Sequence, residues 1–320
     1  MCSKSFWVNK LLRLAATAVC LALCLGCAPA ASPEDGLSYT DALGRAISLP
    51  RQPKRVAALL GSFADVWCLA GGTLCAAAED AWEDFGLSLP EAVNLGGAHS
   101  PSLETLIAAR PELVLASAST ASHVAMEEAL ESTGICVVYF DVDNFDDYLH
   151  MLKVCTDLTG RPELYQQNGL AIQRQIEKSK AQLSGGQLPE AQRRVLILRA
   201  ATGFVKAKGS RGTILGEMLR DLGCFNIADS ETGLLENLSV ESVIRQAPYH
   251  IFVVTMGSDP AAAMANLQRM MDENPAWGTL EAVREGRLHV MEKELYNLKP
   301  NARWAEAYEK LTEILLGKTG

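Results

Sequence analysis

Apolar and polar positions along this chain fall into two similar blocks. Ser102-Leu103-Glu104-Thr105-Leu106-Ile107 reads as a short amphipathic helix, Pro111 stops it, and Leu113-Val114-Leu115 follows as a strand. At an offset of 137 residues, Ser239-Val240-Glu241-Ser242-Val243-Ile244 leads to Pro248 and then to Ile251-Phe252-Val253-Val254. A second correspondence precedes each block. Arg55-Val56-Ala57-Ala58-Leu59-Leu60 and Arg194-Val195-Leu196-Ile197-Leu198 are apolar strands entered from an arginine, each followed by a helix ending in Gly, at 64–71 and 214–223. Six aligned positions around a glutamate, with the proline in register, mark an internal repeat. Strands alternating with helices predict parallel sheets covered on both faces.

Between the halves the pattern changes. From Glu163 to Leu183 there is no Pro and no Gly except Gly169, and Leu164, Ile172, Ile176 and Leu183 mark one apolar stripe. A helix of about 21 residues is roughly 32 Å long, enough to cross from one lobe to another. The chain therefore divides into a first lobe at 38–160, a linking helix at 162–184 and a second lobe at 193–316. The fold class is α/β: two Rossmann-like lobes joined by one long α-helix, with a ligand cleft between them.

The start of the chain sets the compartment. Lys4, Lys10 and Arg13 form a basic, acid-free start, an apolar stretch from Leu11 to Gly26 follows, and then comes Cys27. Residues 1–26 read as a secretory signal, since about 16 apolar residues fall short of the roughly 20 that span a bilayer. Leu25-Gly26-Cys27 resembles a bacterial lipobox, with Cys24 where Leu is usual, so Cys27 is the expected lipidated N-terminus. Residues 27–37 are small, polar and Pro-containing, a flexible tether. Loss of the signal takes the net charge from −9 to −12. An acidic chain without a Lys/Arg block argues against nucleic acid as a partner. Beyond Cys27, the cysteines Cys68, Cys75, Cys136, Cys155 and Cys224 are odd in number and lack paired spacing, which is no disulfide framework, although a Cys68–Cys75 bridge stays open.

Catalytic chemistry has little to stand on. The chain has no H-E-x-x-H, G-x-S-x-G or G-x-x-x-x-G-K-[ST], and His99, His123, His150, His250 and His289 are scattered. No nucleophile is paired with a base, so no enzyme activity is expected and no cofactor is implied.

In order along the chain stand Thr40-Asp41-Ala42-Leu43-Gly44-Arg45, Pro53-Lys54-Arg55-Val56, Gly96-Gly97, Pro101-Ser102-Leu103-Glu104 and Arg110-Pro111-Glu112-Leu113. Leu222-Gly223 with Asn226, Ser239-Val240-Glu241, Asn274-Pro275-Ala276-Trp277, Ala282 to Arg287, and Arg303 before a terminal helix complete the series. Together they resemble the helical-backbone class of ABC-importer solute-binding proteins, which serve iron–siderophore, heme and cobalamin importers. The resemblance implies a ligand held between two lobes whose single linking helix permits modest closure. It implies as partners a small-molecule iron complex, an ABC permease dimer with its ATPase, and a membrane reached through the N-terminal lipid. The receptor itself is expected to be a monomer, extracytoplasmic and either periplasmic or cell-surface. In that family the positions of Glu104 and Glu241 dock arginines of the two permease subunits.

Ligand sites in α/β folds lie beyond the carboxyl ends of strands. That rule selects Ser62 and Phe63 after the first strand, Trp82, His99, the 117–120 loop, the 199–208 stretch with Arg199, Lys206 and Lys208, Met256, and the 296–303 stretch with Tyr296 and Arg303. Heme is the favoured ligand, with His99 and Met256 as axial ligands, a pairing known for heme iron. Arg199, Lys206 and Lys208 would meet propionates, and Trp82 or Tyr296 would cover the ring. A ferric siderophore is close behind, and a corrinoid receptor or a direct Zn/Mn-binding receptor are the alternatives. An adhesion or sensor protein on the same fold is a third class.

Overall fold

The computed structural model of the chain describes residues 36–184 and 188–318. The signal, Cys27 and all but the end of the tether lie outside the described residues.

The chain enters through a hairpin, β1 (Gly36–Thr40) and β2 (Ala46–Pro50), whose turn is organised by Asp41 Oδ1 accepting from the Leu43 and Arg45 backbone amides at 3.1 and 3.0 Å. The first sheet follows: β3 (Val56–Ala58), β4 (Ala76–Ala77), β5 (Val93–Asn94), β6 (Leu113–Ser117) and β7 (Cys136–Phe140), in the order β5-β4-β3-β6-β7. Every pairing in it is parallel. The second sheet holds β8 (Arg194–Ala201), β9 (Phe204–Lys208), β10 (Phe225–Asn226), β11 (His250–Thr255) and β12 (Leu288–Met291). Its order is β10-β8-β11-β12, parallel throughout, with β9 antiparallel on β8. All of β6 and β11 is buried. Strands covered on both faces have no solvent side to serve, which is why they read as unbroken apolar runs rather than alternating ones.

The internal repeat has a structural counterpart. Ser102 and Ser239 each cap a helix, Leu103–Ala108 and Val240–Gln246, by accepting a backbone amide three residues on. Arg110 and Ala247, also 137 residues apart, both take the left-handed conformation (φ 47° and 44°) immediately before Pro111 and Pro248. The arginines that enter the first strand of each half close the same helix ends. Arg55 donates through Nε to Arg110 O at 3.1 Å and through Nη2 to Ala109 O; Arg194 donates to Gln246 O at 3.1 and 2.6 Å. Carbonyls left open by helix termination thus gain a cation, the partner that the helix dipole favours there.

The linking segment is helical from Pro162 to Gln182, as Pro162–Tyr165, a single π turn at Gln166–Leu170, and Ala171–Gln182. Gly169 stands in the π turn because a Cβ there would lie 2.7 Å from Leu149 Cδ1, inside contact distance. The terminal helix, Trp304–Leu315, packs along Ala171–Gln182. One central core runs through Trp67, Phe140 and Tyr148 of the first lobe, Ile172 and Ile176 of the linker, and Phe252 and Trp304 beyond it. Two further cores cover the outer faces of the sheets, one around Leu106, Val114 and Tyr139, the other around Leu198, Val253 and Trp277.

The lobes meet at the carboxyl ends of their strands. Asn301, beyond β12, donates from Nδ2 to Ser62 O at 2.9 Å and to Asp65 Oδ2 at 2.8 Å, just after β3. Lys293, also beyond β12, reaches Asp84, beyond β4, at 2.7 Å. Both strand ends therefore open onto one junction. No helix among the described residues is long and apolar enough to cross a membrane.

Candidate ligand cleft

On the second-lobe side, strand register assembles a basic face. Arg199 of β8 pairs with Lys206 of β9 and with Val254 of β11. Residues two apart on a strand share a face, so Lys208 and Phe204 join Lys206, and Met256 continues the line of Val254. Met256 is 45% exposed, and its amide donates to Ala200 O at 2.9 Å, holding it at the strand end. Arg199 is half-buried, and its Nε is buried with no hydrogen-bond partner among the described residues. Burial lowers the pKa of Arg199; burial first, then Arg199 and Lys206, lowers that of Lys208. Crowded cations with an unmet donor favour an anion.

On the first-lobe side, Gly61 begins the helix Gly61–Leu69 at the end of β3. It must be glycine, because a Cβ would sit 2.6 Å from Ala81 N and from Asp80 C. Asp80 lies against this helix start with Oδ1 buried and unpartnered among the described residues. Its pKa is raised by burial, only partly offset by the nearby Gly61 backbone amide. Lys299 comes in from the second lobe. Burial lowers its pKa, while Asp143, Asp141 and Asp80 pull the other way. His99 is exposed in the loop after β5. Beneath that loop, His123 is fully buried: its Nδ1 accepts the Ser117 amide at 3.2 Å, and its Nε2 bonds Ala98 O at 2.7 Å.

The expected site residues separate into groups. Arg199, Lys206, Lys208 and Met256 share one face, and His99 and half-buried Trp82 lie beyond the carboxyl ends of first-lobe strands. Ser62 is buried and offers its carbonyl to Asn301. Phe63 and Tyr296 are corrections. Phe63 is turned into the core, edge-on to Phe140 at 6.1 Å, because the helix starts at Gly61 and aims its third residue inward. Tyr296 is buried with its hydroxyl donating to Ala307 O at 3.0 Å. Arg303 is exposed but engaged with Glu306 at 2.7 and 2.9 Å, a local pairing along the terminal helix. Glu104 and Glu241 are exposed in the first turns of the two equivalent helices. Cys68 and Cys75 are both free thiols. Phe204 and Lys299 fall inside the expected 199–208 and 296–303 stretches, whereas Asp80 and His123 lie outside every expected cleft segment. Only Phe204 had a usable signal, an aromatic in alternation with Lys206 and Lys208. Among the described residues, no group of three or more His, Cys, Asp or Glu is placed to hold a metal ion.

Residues 56–295 match the family described as periplasmic binding protein. The chain is 20% identical over 293 residues to a putative ABC transporter substrate-binding lipoprotein, YhfQ, of Bacillus subtilis (strain 168), covering 86% of this chain and 87% of that one. A periplasmic heme-binding protein from Pseudomonas aeruginosa superposes with a TM-score of 0.65 at 20% identity, over 84% of this chain and 94% of that one. SirA of Staphylococcus aureus, complexed with staphyloferrin B, superposes with a TM-score of 0.63 at 19% identity, over 88% and 98%.

Proposed function

Because the chain belongs to the periplasmic binding protein family, as the substrate-binding protein of an ABC transporter and not an enzyme, we propose that its solute is an anionic iron complex, heme foremost. The observation that carries this reading is the face on which Arg199, Lys206 and Lys208 stand beside exposed Met256. In this reading the three cations meet carboxylates of the ligand, Trp82 and Phe204 lie against its apolar body, and His99 and Met256 approach the iron from opposite lobes. The heme-binding and staphyloferrin B-bound structures of the same fold are in keeping with this reading. A ferric siderophore is the second reading. The same three cations would serve a carboxylate-rich chelate, which needs no axial ligand.

The receptor is held at the membrane by lipid on Cys27 and meets its permease through Glu104 and Glu241, with an ATPase driving uptake. A single acyl chain holds a protein only marginally, so two or more are expected, and the intact mass of the membrane-extracted protein reads them directly. An unmodified Cys27 would remove the anchor from this account.

Hemin added to the soluble protein beginning after Cys27 should give a saturable one-to-one complex by its Soret band. His99→Ala and Met256→Ala should each alter that spectrum. Arg199→Ala should weaken binding roughly tenfold, the loss of one charge-assisted hydrogen bond. A protein that ignores hemin and holds a ferric siderophore tightly moves the assignment to the second reading.

A further inference from the structure

The loop after β5, residues 96–100, carries His99 at the junction of the lobes, and little holds it there. Its entry is fixed by the Glu79 amide donating to Gly96 O at 2.9 Å, and its exit by the Ser102 amide donating to Leu95 O at 2.7 Å. Within the loop, the Ser100 amide closes a turn onto Gly97 O at 2.8 Å. The carbonyl of Ala98, next to His99, is held by the buried ring of His123.

We propose that His123 is the positioning residue for the loop that presents His99 to the ligand, an inference that rests on the cleft reading above. The Ser117 amide can only donate, so Nδ1 must accept and Nε2 must carry the proton that goes to Ala98 O. The ring therefore ties the end of β6 to the loop beyond β5 with a fixed direction. Its backbone is fixed as well, because the buried Tyr139 hydroxyl donates to His123 O at 3.0 Å. The loop thus rests on an anchor that cannot drift, and His99 stays where a ligand meets it without an ordering cost at binding.

Two amide substitutions divide the ring's two bonds. In His123→Gln the side-chain NH2 reaches the place of Nε2 and keeps the bond to Ala98 O. In His123→Asn the side-chain oxygen takes the place of Nδ1, keeps the Ser117 amide, and loses the loop. Amide hydrogen exchange of residues 96–100 in the ligand-free protein should rise in His123→Asn and His123→Ala and stay near wild type in His123→Gln. Hemin affinity should fall roughly tenfold in the first two and about twofold or less in the third, following loss of one buried hydrogen bond. Equal behaviour of the Asn and Gln variants in loop exchange would show a packing role only and overturn the proposal. A wild-type protein that does not bind hemin would defeat the ligand reading, while the loop-exchange arm still decides the role of His123. Should the variants not fold, histidine 15N NMR of the wild type decides instead. The Nε2–H tautomer is required, and an Nδ1–H ring or an imidazolium overturns the inference.

Discussion

Among single residues, His250 has the sharpest environment outside the cleft. It is 3% exposed, at the amino end of β11, with Nδ1 bonded to His289 Nε2 at 3.0 Å and Nε2 buried without a partner. Burial first, then the charge of His289 and of Arg287, pushes its pKa down to about 4, and burial also lowers that of His289. An unfolded histidine titrates near 6.5. Between those values the unfolded chain takes a proton that the folded one refuses. The stability tied to His250 is therefore complete above about pH 6.5 and is lost as pH falls toward 4, by roughly 3 kcal/mol. Urea unfolding of the wild type and of His250→Phe at pH 7, 5.5 and 4 should show the wild type losing stability relative to the variant as the pH drops, by up to roughly 3 kcal/mol. A constant difference between them would contradict this assignment. The same physics explains why a histidine in an otherwise apolar strand gave no sign of its partner: His289 is 39 residues away, and only the parallel pairing of β11 with β12 joins them.

At the scale of elements, much was legible. The runs Leu113-Val114-Leu115 and Ile251-Phe252-Val253-Val254 are strands because nothing polar interrupts them, and both proved buried on both faces. Ser102 and Ser239, with Pro111 and Pro248, bounded their helices by chemistry that acts within four residues. The opening arginines, Arg55 and Arg194, were visible as a pattern, but their reason was not, since the carbonyls they close lie some 50 residues on. Local pattern failed at the strand-to-helix corner. Phe63 follows the first strand and is expected to line the cleft, whereas the helix begins two residues earlier and points it inward. The π turn in the linker was equally invisible, because nothing in the linker's own apolar stripe marks it. Site residues divide the same way. The basic face follows from two-residue alternation in β9, while the bonds of His123 to Ala98 and of Lys293 to Asp84 cross 25 and 209 residues and leave no local trace.

For the whole molecule, the repeat places one exposed glutamate on each lobe, at matching helix starts. A first-turn glutamate is worth about 0.3–1 kcal/mol to its own helix. Reversal of Glu104 and Glu241 to Lys should therefore cost little stability. If both dock a permease, the double variant should abolish uptake in cells and leave ligand affinity intact, because charges of this kind set orientation and encounter rate. Undiminished uptake by the double variant would take the docking role away from them. The bonds that Asn301 and Lys293 make across the junction are few and polar, consistent with lobes that adjust around a ligand while the central core keeps them in one body.

That shared core also governs when the protein can finish folding. A ribosome delivers the chain from its amino end, so the first sheet is fully made once Phe140 has appeared. Its outer face can close at once, since Leu106, Val114 and Tyr139 are already present. Its inner face closes in part, since the helix Gly61–Leu69 packs against β3, β6 and the helix Phe145–Thr159. Phe145 waits for Trp304, met at 6.0 Å, and the linker waits for the helix Trp304–Leu315, which is synthesised after the whole second sheet. Until then Phe145 and the linker face around Ile176 lack their last apolar partners, and a chain truncated before Trp304 would leave them open.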